Sequence, residues 1–320
     1  MGGQRMRAVG FLAPGGPEVL AVHDVPQPHA GPGEVRIAVR AAAVNPTDVS
    51  LREGRRGTGE LPPPHVPGMD AAGVIDEVGP STADGDTSPW RVGDEVMAMA
   101  IPLVGHGGAY VEFLVADADS IARMPSGRSF VEAATLPMNG LTAMQALDLL
   151  ELHAGATVAV TGAAGTLGGY VVQLATQRGL RVLADAGPAD HGTVLSFGAD
   201  HVVERGDDLA RRFRALAPDG VDGLVDCAVL DDRALPAVRD GGRLVSVRRW
   251  PGIAGHPVTV RPVWVFDEYH HRGRLDHLRE SVENGTLTLR VAGSLPFGEA
   301  PEAHRRLAAG GLRGRLVLVP

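Results

Sequence analysis

Up to about Pro125, apolar positions come in short alternating or β-branched runs broken by glycine and proline: Val35–Val39, Ala72–Ile75, Glu95–Met99 and Tyr110–Val115. Runs of this length between Gly/Pro turns predict the short strands of a compact, β-rich, barrel-like unit. Beyond Pro125 the period lengthens. Phe130–Leu150 has helical spacing interrupted by Pro137 and Gly140, which predicts two helices meeting at a bend. From Thr157 onward, strands at Thr157–Thr161, Arg181–Ala184, His201–Val203, Gly223–Asp226 and Arg243–Val247 alternate with helices at Leu167–Arg178, around Thr193–Phe197 and at Leu209–Leu216, with a further segment at Arg233–Val238. That alternation is the pattern of a Rossmann-like, doubly wound parallel sheet. The tail predicts a helix at Leu275–Glu283, a short strand near Leu287–Val291, a helix at Pro301–Ala309 and a last strand at Arg315–Val319 that rejoins the first unit. The fold class is α/β, with a β-rich domain over residues 1–125, a Rossmann domain over 126–266 and a return to the first domain over 267–320. Pro80–Pro89 and Gly54–Pro64 read as polar loops, the second long enough to border a site.

Composition narrows the chemistry. The 320 residues carry 30 basic and 38 acidic side chains, a net charge of −8 with 44% hydrophobic residues, which is globular and lacks the basic excess of a nucleic-acid binder. Every basic residue is arginine. Without lysine there is no Schiff-base nucleophile, no P-loop lysine and no Tyr-x-x-x-Lys dyad. The single cysteine, Cys227, excludes an internal disulfide framework and Cys-rich metal clusters and suits a reducing cytosol. Met1–Phe11 lacks a signal-peptide pattern and no run reaches about 18 apolar residues. The expected location is the cytoplasm, with no membrane or nucleic-acid partner.

The sharpest chemical signal is Val158-Ala159-Val160-Thr161-Gly162-Ala163-Ala164-Gly165-Thr166-Leu167-Gly168-Gly169, an apolar strand whose glycines open a helix. Glycine permits the tight turn and the close backbone approach to a pyrophosphate, which amide N–H groups at the helix start then bind. Gly162, Ala164, Gly165, Thr166 and Leu167 are the candidates for that contact. The spacing is Gly-x-x-Gly-x-x-Gly rather than Gly-x-Gly-x-x-Gly, so its context in a βαβ unit carries the assignment. Asp185, 17 residues after Gly168, lies near the position of an acid that would hold the adenosine ribose hydroxyls; it reads equally as a loop or N-cap aspartate. Arg205, after the third strand, could bind the 2′-phosphate of NADP bidentately or be a solvated surface arginine.

Asn45-Pro46-Thr47-Asp48, Pro67-Gly68-Met69-Asp70-Ala71-Ala72-Gly73, Val92-Gly93-Asp94-Glu95-Val96, Gly107-Gly108-Ala109-Tyr110 and Leu136-Pro137-Met138-Asn139-Gly140-Leu141-Thr142-Ala143 follow one another in that order ahead of the glycine turn. Together they resemble the medium-chain dehydrogenase/reductase superfamily, in its zinc-free quinone oxidoreductase branch, from Met6 to Leu318. The resemblance implies a GroES-like catalytic domain formed by both chain ends, a Rossmann domain between them, NADPH rather than NADH in the cleft, and a homodimer. It further implies hydride transfer to a small-molecule quinone or α,β-unsaturated carbonyl, with an enoyl or polyketide-tailoring reductase as the near alternative and a non-catalytic NADPH-binding sensor or structural protein as the alternative of another class. Where the zinc branch carries its metal-binding cysteine and His-Glu, this chain has Asn45 and Met69-Asp70, so no metal is expected, and an acceptor already activated by conjugation is favoured.

The resemblance places Asn45 against the nicotinamide or the substrate oxygen, gives Asp48 a loop-organising role, and puts Thr142 near the nicotinamide ribose. The residues after the fourth and fifth Rossmann strands, Cys227, Ala228 and Val229, then Ser246, Val247 and Arg248, are expected to border the cofactor, as carboxyl ends of such strands do. Relatives often carry a tyrosine two residues after the Asn-Pro-x-Asp motif. Ser50 stands there, able to hydrogen-bond a carbonyl but a poor proton donor, so solvent is left to supply the proton. Asp267, His270 and His271 invite a metal-site reading that lacks a clear third ligand. His65 could enter the substrate cleft, Tyr110 could donate a proton but reads more simply as a strand start, Phe266 could close the cleft or, the favoured reading, pack at the dimer interface, and Cys227 reads as buried rather than nucleophilic.

Overall fold

The computed structural model describes residues 3–59, 61–81 and 88–320. In chain order the elements are β1 (Arg5–Gly10), β2 (Ala21–Pro26), β3 (Glu34–Ala43), α1 (Pro46–Arg52), β4 (Asp70–Val78), β5 (Glu95–Met99), β6 (Phe113–Asp117), β7 (Ile121–Arg123), α2 (Phe130–Ala133), α3 (Pro137–Leu150), β8 (Thr157–Thr161), α4 (Thr166–Gln177), β9 (Arg181–Ala186), α5 (His191–Ser196), β10 (His201–Glu204), α6 (Leu209–Leu216), β11 (Val221–Asp226), β12 (Val238–Ser246), β13 (Thr259–Pro262), α7 (Arg272–Glu283), β14 (Val291–Pro296), α8 (Ala300–Ala309) and β15 (Arg315–Val319). They divide into two compact units. One is Met1–Met138, Tyr269–Glu283 and Leu289–Pro320; the other is Asn139–Glu268 and Asn284–Thr288.

In the first unit a seven-stranded sheet runs β14-β15-β3-β4-β5-β7, with β6 also paired to β3, beside a β1–β2 hairpin. The alternation read in Val35, Ile37 and Val39 puts these three side chains in the core with Ile75, Leu114 and Ile121. The last strand, β15, lies antiparallel to β3, with Leu318 opposite Ala42, so the C-terminal strand joins the sheet of the first unit. In the second unit the order is β10-β9-β8-β11-β12-β13, every neighbour parallel. The strand order reverses between β8 and β11, the place where doubly wound sheets open a crevice at their carboxyl ends.

Several sequence expectations shift. The segment 126–138 belongs with the first unit: Ser126 donates from its N–H and its hydroxyl to Glu283 at 2.9 Å, and the Met138 N–H reaches Asp70 at 2.6 Å. The strand read at Tyr110–Val115 begins only at Phe113, because the Tyr110 backbone is bonded to Pro67 and Val9. Arg233–Val238 holds two single 3₁₀ turns, Asp231–Arg233 and Leu235–Ala237, and Pro236 cannot supply the N–H that a longer helix needs. The strand expected near Leu287–Val291 starts at Val291, since the Thr288 N–H is taken by the Gln173 side chain. Residues 82–87 of the Pro80–Pro89 loop and Glu60 of the Gly54–Pro64 loop lie outside the described residues.

Candidate functional site

The glycine segment forms the turn its sequence demands. Gly162 follows β8 with φ of 67°, a conformation that penalises any Cβ, and Gly165 is the N-cap of α4. A Cβ on Gly168 would stand 2.3 Å from the Gly162 carbonyl oxygen, so only glycine lets α4 pack this tightly against the end of β8. No side chain caps α4. The first-turn amides of Thr166 and Leu167, together with the positive end of the helix dipole, therefore present an anion-binding end. Asp185 anchors the turn from behind. Fully buried in β9, it accepts the Gly162 N–H and, at 3.0 Å, the Arg205 Nε. The carboxylate that could have bound ribose hydroxyls thus faces the turn, and Arg205 pairs with it while its guanidinium stays half-exposed.

The ends of β11 and β12 are shaped by a second buried carboxylate. Asp226 accepts the Thr161 hydroxyl at 2.6 Å and the N–H groups of Leu230 and Asp231 at 2.7 and 2.8 Å, while the Ala228 N–H donates to the Thr161 hydroxyl at 3.0 Å. This bends Cys227–Val229 across the end of β8, with Val229 at φ of 60°. The Ser246 hydroxyl donates to the Arg248 carbonyl at 2.7 Å, and Arg248 pairs with Asp231, joining the loop after β12 to the loop after β11. Burial and the neighbouring Asp226 and Asp185 charges push the Cys227 thiol well above its ordinary range, which suits a packed, unreactive sulfur. Thr142, buried on α3, belongs to this same unit.

In the first unit, Asn45 ends the β3 connection and caps α1. Its N–H donates to Asp48 at 2.8 Å and its Nδ2 donates to Asp70 at 2.6 Å. Asp48 also accepts the Gly68 N–H at 3.0 Å and the Tyr110 hydroxyl at 3.1 Å. Asn45, Asp48, Asp70 and Tyr110 are each fully buried. Burial pushes Asp48 up to about 6 and Asp70 up to about 7, against the pull of their N–H donors and of Arg315; the Asp48 charge adds to the rise at Asp70. An amide–carboxylate hydrogen bond thus ties the Asn45 loop to β4. Ser50 is half-buried in the middle of α1.

Other candidates resolve differently. His270 pairs with Asp119 at 2.8 Å, and among the described residues no group of three His, Cys, Asp or Glu side chains is placed to hold a metal ion. His65 packs its ring on Phe11, centroids 5.4 Å apart. Phe266 meets Trp264 edge-on, ring centroids 4.6 Å apart. Tyr110 is no strand start but a buried donor. Sequence reasoning left donation open at Tyr110 and missed Arg52 and His304, which lie 252 residues apart and meet only in the fold.

Comparison with known proteins adds the following. Residues 31–126 match the family model of the alcohol dehydrogenase GroES-like domain, and residues 197–318 match that of zinc-binding dehydrogenase. The chain is 28% identical over 326 residues to the chloroplastic NADPH-dependent alkenal/one oxidoreductase of Arabidopsis thaliana, with 99% of this chain and 80% of that protein covered. It is 38% identical over 226 residues to erythronolide synthase EryA2 of Saccharopolyspora erythraea, which covers 68% of this chain and only 6% of that much longer protein. Among solved structures it resembles the quinone oxidoreductase from Coxiella burnetii, with a TM-score of 0.83, 27% identity, and 99% of this chain and 100% of that chain covered.

Proposed function

The chain belongs to the medium-chain dehydrogenase/reductase superfamily, in its quinone oxidoreductase branch, and from that premise we propose that it is an NADPH-dependent, zinc-independent reductase of quinones or α,β-unsaturated carbonyls. The observation that carries this reading is the glycine turn before the uncapped helix α4, closed so tightly that a Cβ at residue 168 would strike the Gly162 carbonyl. The amides of Thr166 and Leu167 would hold the pyrophosphate, and Gly162, Ala164 and Gly165 would line its approach. Arg205 would meet the 2′-phosphate, and its pairing with Asp185 removes the repulsion a bare carboxylate would exert there. Ala228, Val229, Val247 and Arg248 would border the nucleotide at the strand ends, and Thr142 the nicotinamide ribose.

When bound, NADPH supplies the hydride. The protein's own part would be to orient the acceptor: Asn45, fixed by Asp48 and Asp70, would serve as its hydrogen-bond donor, which is enough for a conjugated acceptor where a simple ketone benefits from a Lewis acid. Ser50 offers a hydroxyl but not an acid, which leaves the proton to solvent. A second reading, reduction of an enoyl thioester, is favoured by the 38% identity to a polyketide synthase segment. Following NADPH oxidation with menadione, a linear enone and a crotonyl thioester separates the two. Turnover of the quinone or enone at least tenfold above the thioester supports the main reading, the reverse order supports the second, and NADPH binding with no turnover of any acceptor sinks both.

We further propose a homodimer in the cytoplasm. β13 closes one end of the Rossmann sheet and offers its outer edge to a second copy, and the lone thiol Cys227 is compatible with a reducing compartment. Light scattering that gives a monomer at micromolar concentration would overturn the dimer.

A further inference from the structure

Behind Asp48 runs a chain of side chains that the reductase reading leaves unused. Arg52, buried in α1, donates from Nε to the Gly15 carbonyl at 3.0 Å and from Nη2 to Glu53 at 2.7 Å, and its Nη1 lies 3.2 Å from His304 Nδ1. A guanidinium only donates, so Nδ1 is the acceptor and the imidazole proton is on Nε2. That Nε2 faces the Tyr110 hydroxyl oxygen at 3.4 Å, the two rings meeting edge to face at 82°. Tyr110 passes its own proton on to Asp48 at 3.1 Å. All donors therefore point one way, from the cation Arg52 through two neutral groups to Asp48, which accepts the N–H groups of Asn45 and Gly68.

We propose that His304, on the C-terminal helix α8, is a positioning residue for hydride transfer: through Tyr110 it keeps Asp48 as the acceptor that fixes the backbone at Asn45 and Gly68. The proposal rests on the reading of Asn45 as a group at the reacting end. The groups facing Asp48 are Tyr110, Asp70 on β4 and Arg315 on β15, with His304 and Arg52 behind Tyr110. Burial, aided by the Arg52 charge, holds His304 down to about 3, so the ring stays neutral and its tautomer persists through the working pH range. The Tyr110 hydroxyl is one of the donors that restrain the burial-driven rise of Asp48. Without it Asp48 takes up a proton at higher pH and releases the two turns.

The test measures kcat and KM for NADPH and menadione from pH 5 to 9 in the wild-type protein, Tyr110→Phe, His304→Gln and His304→Leu, with peptide-level hydrogen exchange over residues 44–52 and 66–70. Tyr110→Phe and His304→Leu are expected to move the acid limb of kcat up by about one unit, a loss of about fivefold at pH 6 and less than about twofold at pH 8.5. KM should change little, and exchange at both turns should rise. His304→Gln, whose amide can accept from Arg52 and donate to Tyr110, should restore the wild-type limb. An unmoved limb and unchanged exchange in Tyr110→Phe, or His304→Gln behaving as His304→Leu does, would overturn the proposal. If His304→Leu does not fold, Tyr110→Phe and His304→Gln decide alone. If the wild-type protein reduces no acceptor, the reductase reading fails, and the exchange comparison still decides whether His304 holds the two turns.

Discussion

Both units of this molecule bury aspartates behind a turn at the end of a strand, yet they neutralise them differently. In the Rossmann unit Asp185 meets an arginine that reaches in from the surface, and Asp226 takes a hydroxyl and two backbone N–H groups. In the β-rich unit Asp48 and Asp70 are held by backbone N–H groups, the Asn45 amide and a tyrosine; the Arg315 charge lowers both, and they repel one another. The geometric device is the same. Its outcome is not: one pair braces the glycine turn and the loop after β11, while in the other burial lifts Asp48 to about 6 and Asp70 to about 7, within reach of physiological pH.

The strongest way to break the contrast is to disturb the rigid side. Gly168→Val sets a branched side chain where even a Cβ would lie 2.3 Å from the Gly162 carbonyl. Dissociation of NADPH, followed by fluorescence titration, is expected to weaken at least about 1,000-fold, or about 4 kcal/mol. Binding within tenfold of wild type would show that the turn does not need its tight closure.

The titrating side is next. The pKa of Asp70 is raised from 3.8 to about 7 by folding, so the native state holds its proton more tightly than the unfolded chain. Ionising it costs stability, a cost that grows as pH rises from about 4 and is complete above about 7. Asp70→Asn keeps an acceptor for Met138 and removes that cost of about 4 kcal/mol but gives up the acceptor for Asn45, worth about 1 kcal/mol, so unfolding free energy at pH 8 should rise by about 3 kcal/mol. The gain should vanish near pH 4. A variant less stable than wild type at pH 8 would mean that the negative charge itself holds the site together.

How much of this contrast could be read from sequence follows from the distance over which each feature is encoded. The glycine turn, α6 and β15 were legible because their signals are local: positive φ, amphipathic spacing and an apolar run. The loop role of Asp48 came from the resemblance alone, and its bonds to the Asn45 and Gly68 N–H groups are what give it physical content. The orientation of Asp185 was open because two readings fit one position, and only its bond to Gly162 decides between them. Arg52, Tyr110 and His304 carry no local signature. Each looks like a surface arginine, a strand residue or a helix histidine until α1, the loop before β6 and α8 converge. The displaced strand at β14 has a similar origin, since a side chain more than a hundred residues away takes the Thr288 N–H.

A smaller effect sharpens the arginine half of the comparison. Arg205→Ala should weaken NADPH about tenfold, close to 1.4 kcal/mol, and leave NADH within about twofold, because the half-exposed guanidinium has the 2′-phosphate alone to distinguish them. Equal losses for both nucleotides would assign Arg205 to holding Asp185 and the turn rather than to selecting the cofactor.

The smallest expected change is at Ser50, and its smallness is the point. The hydroxyl lies half-buried in the middle of α1, two residues beyond Asp48, on the same short helix whose start the buried network anchors. If orientation comes from Asn45 and its aspartates and the proton comes from solvent, then Ser50→Ala removes one neutral hydrogen bond at most, and kcat for menadione should fall by less than about twofold. On the same premise Asn45→Ala, measured alongside, should cost far more, since it removes both the proposed acceptor-orienting amide and the partner of Asp70. A tenfold loss in Ser50→Ala with an intact response to Tyr110→Phe would shift the chemistry from the buried carboxylates to an accessible hydroxyl. The titrating half of the molecule would then be a structural feature with no part in turnover.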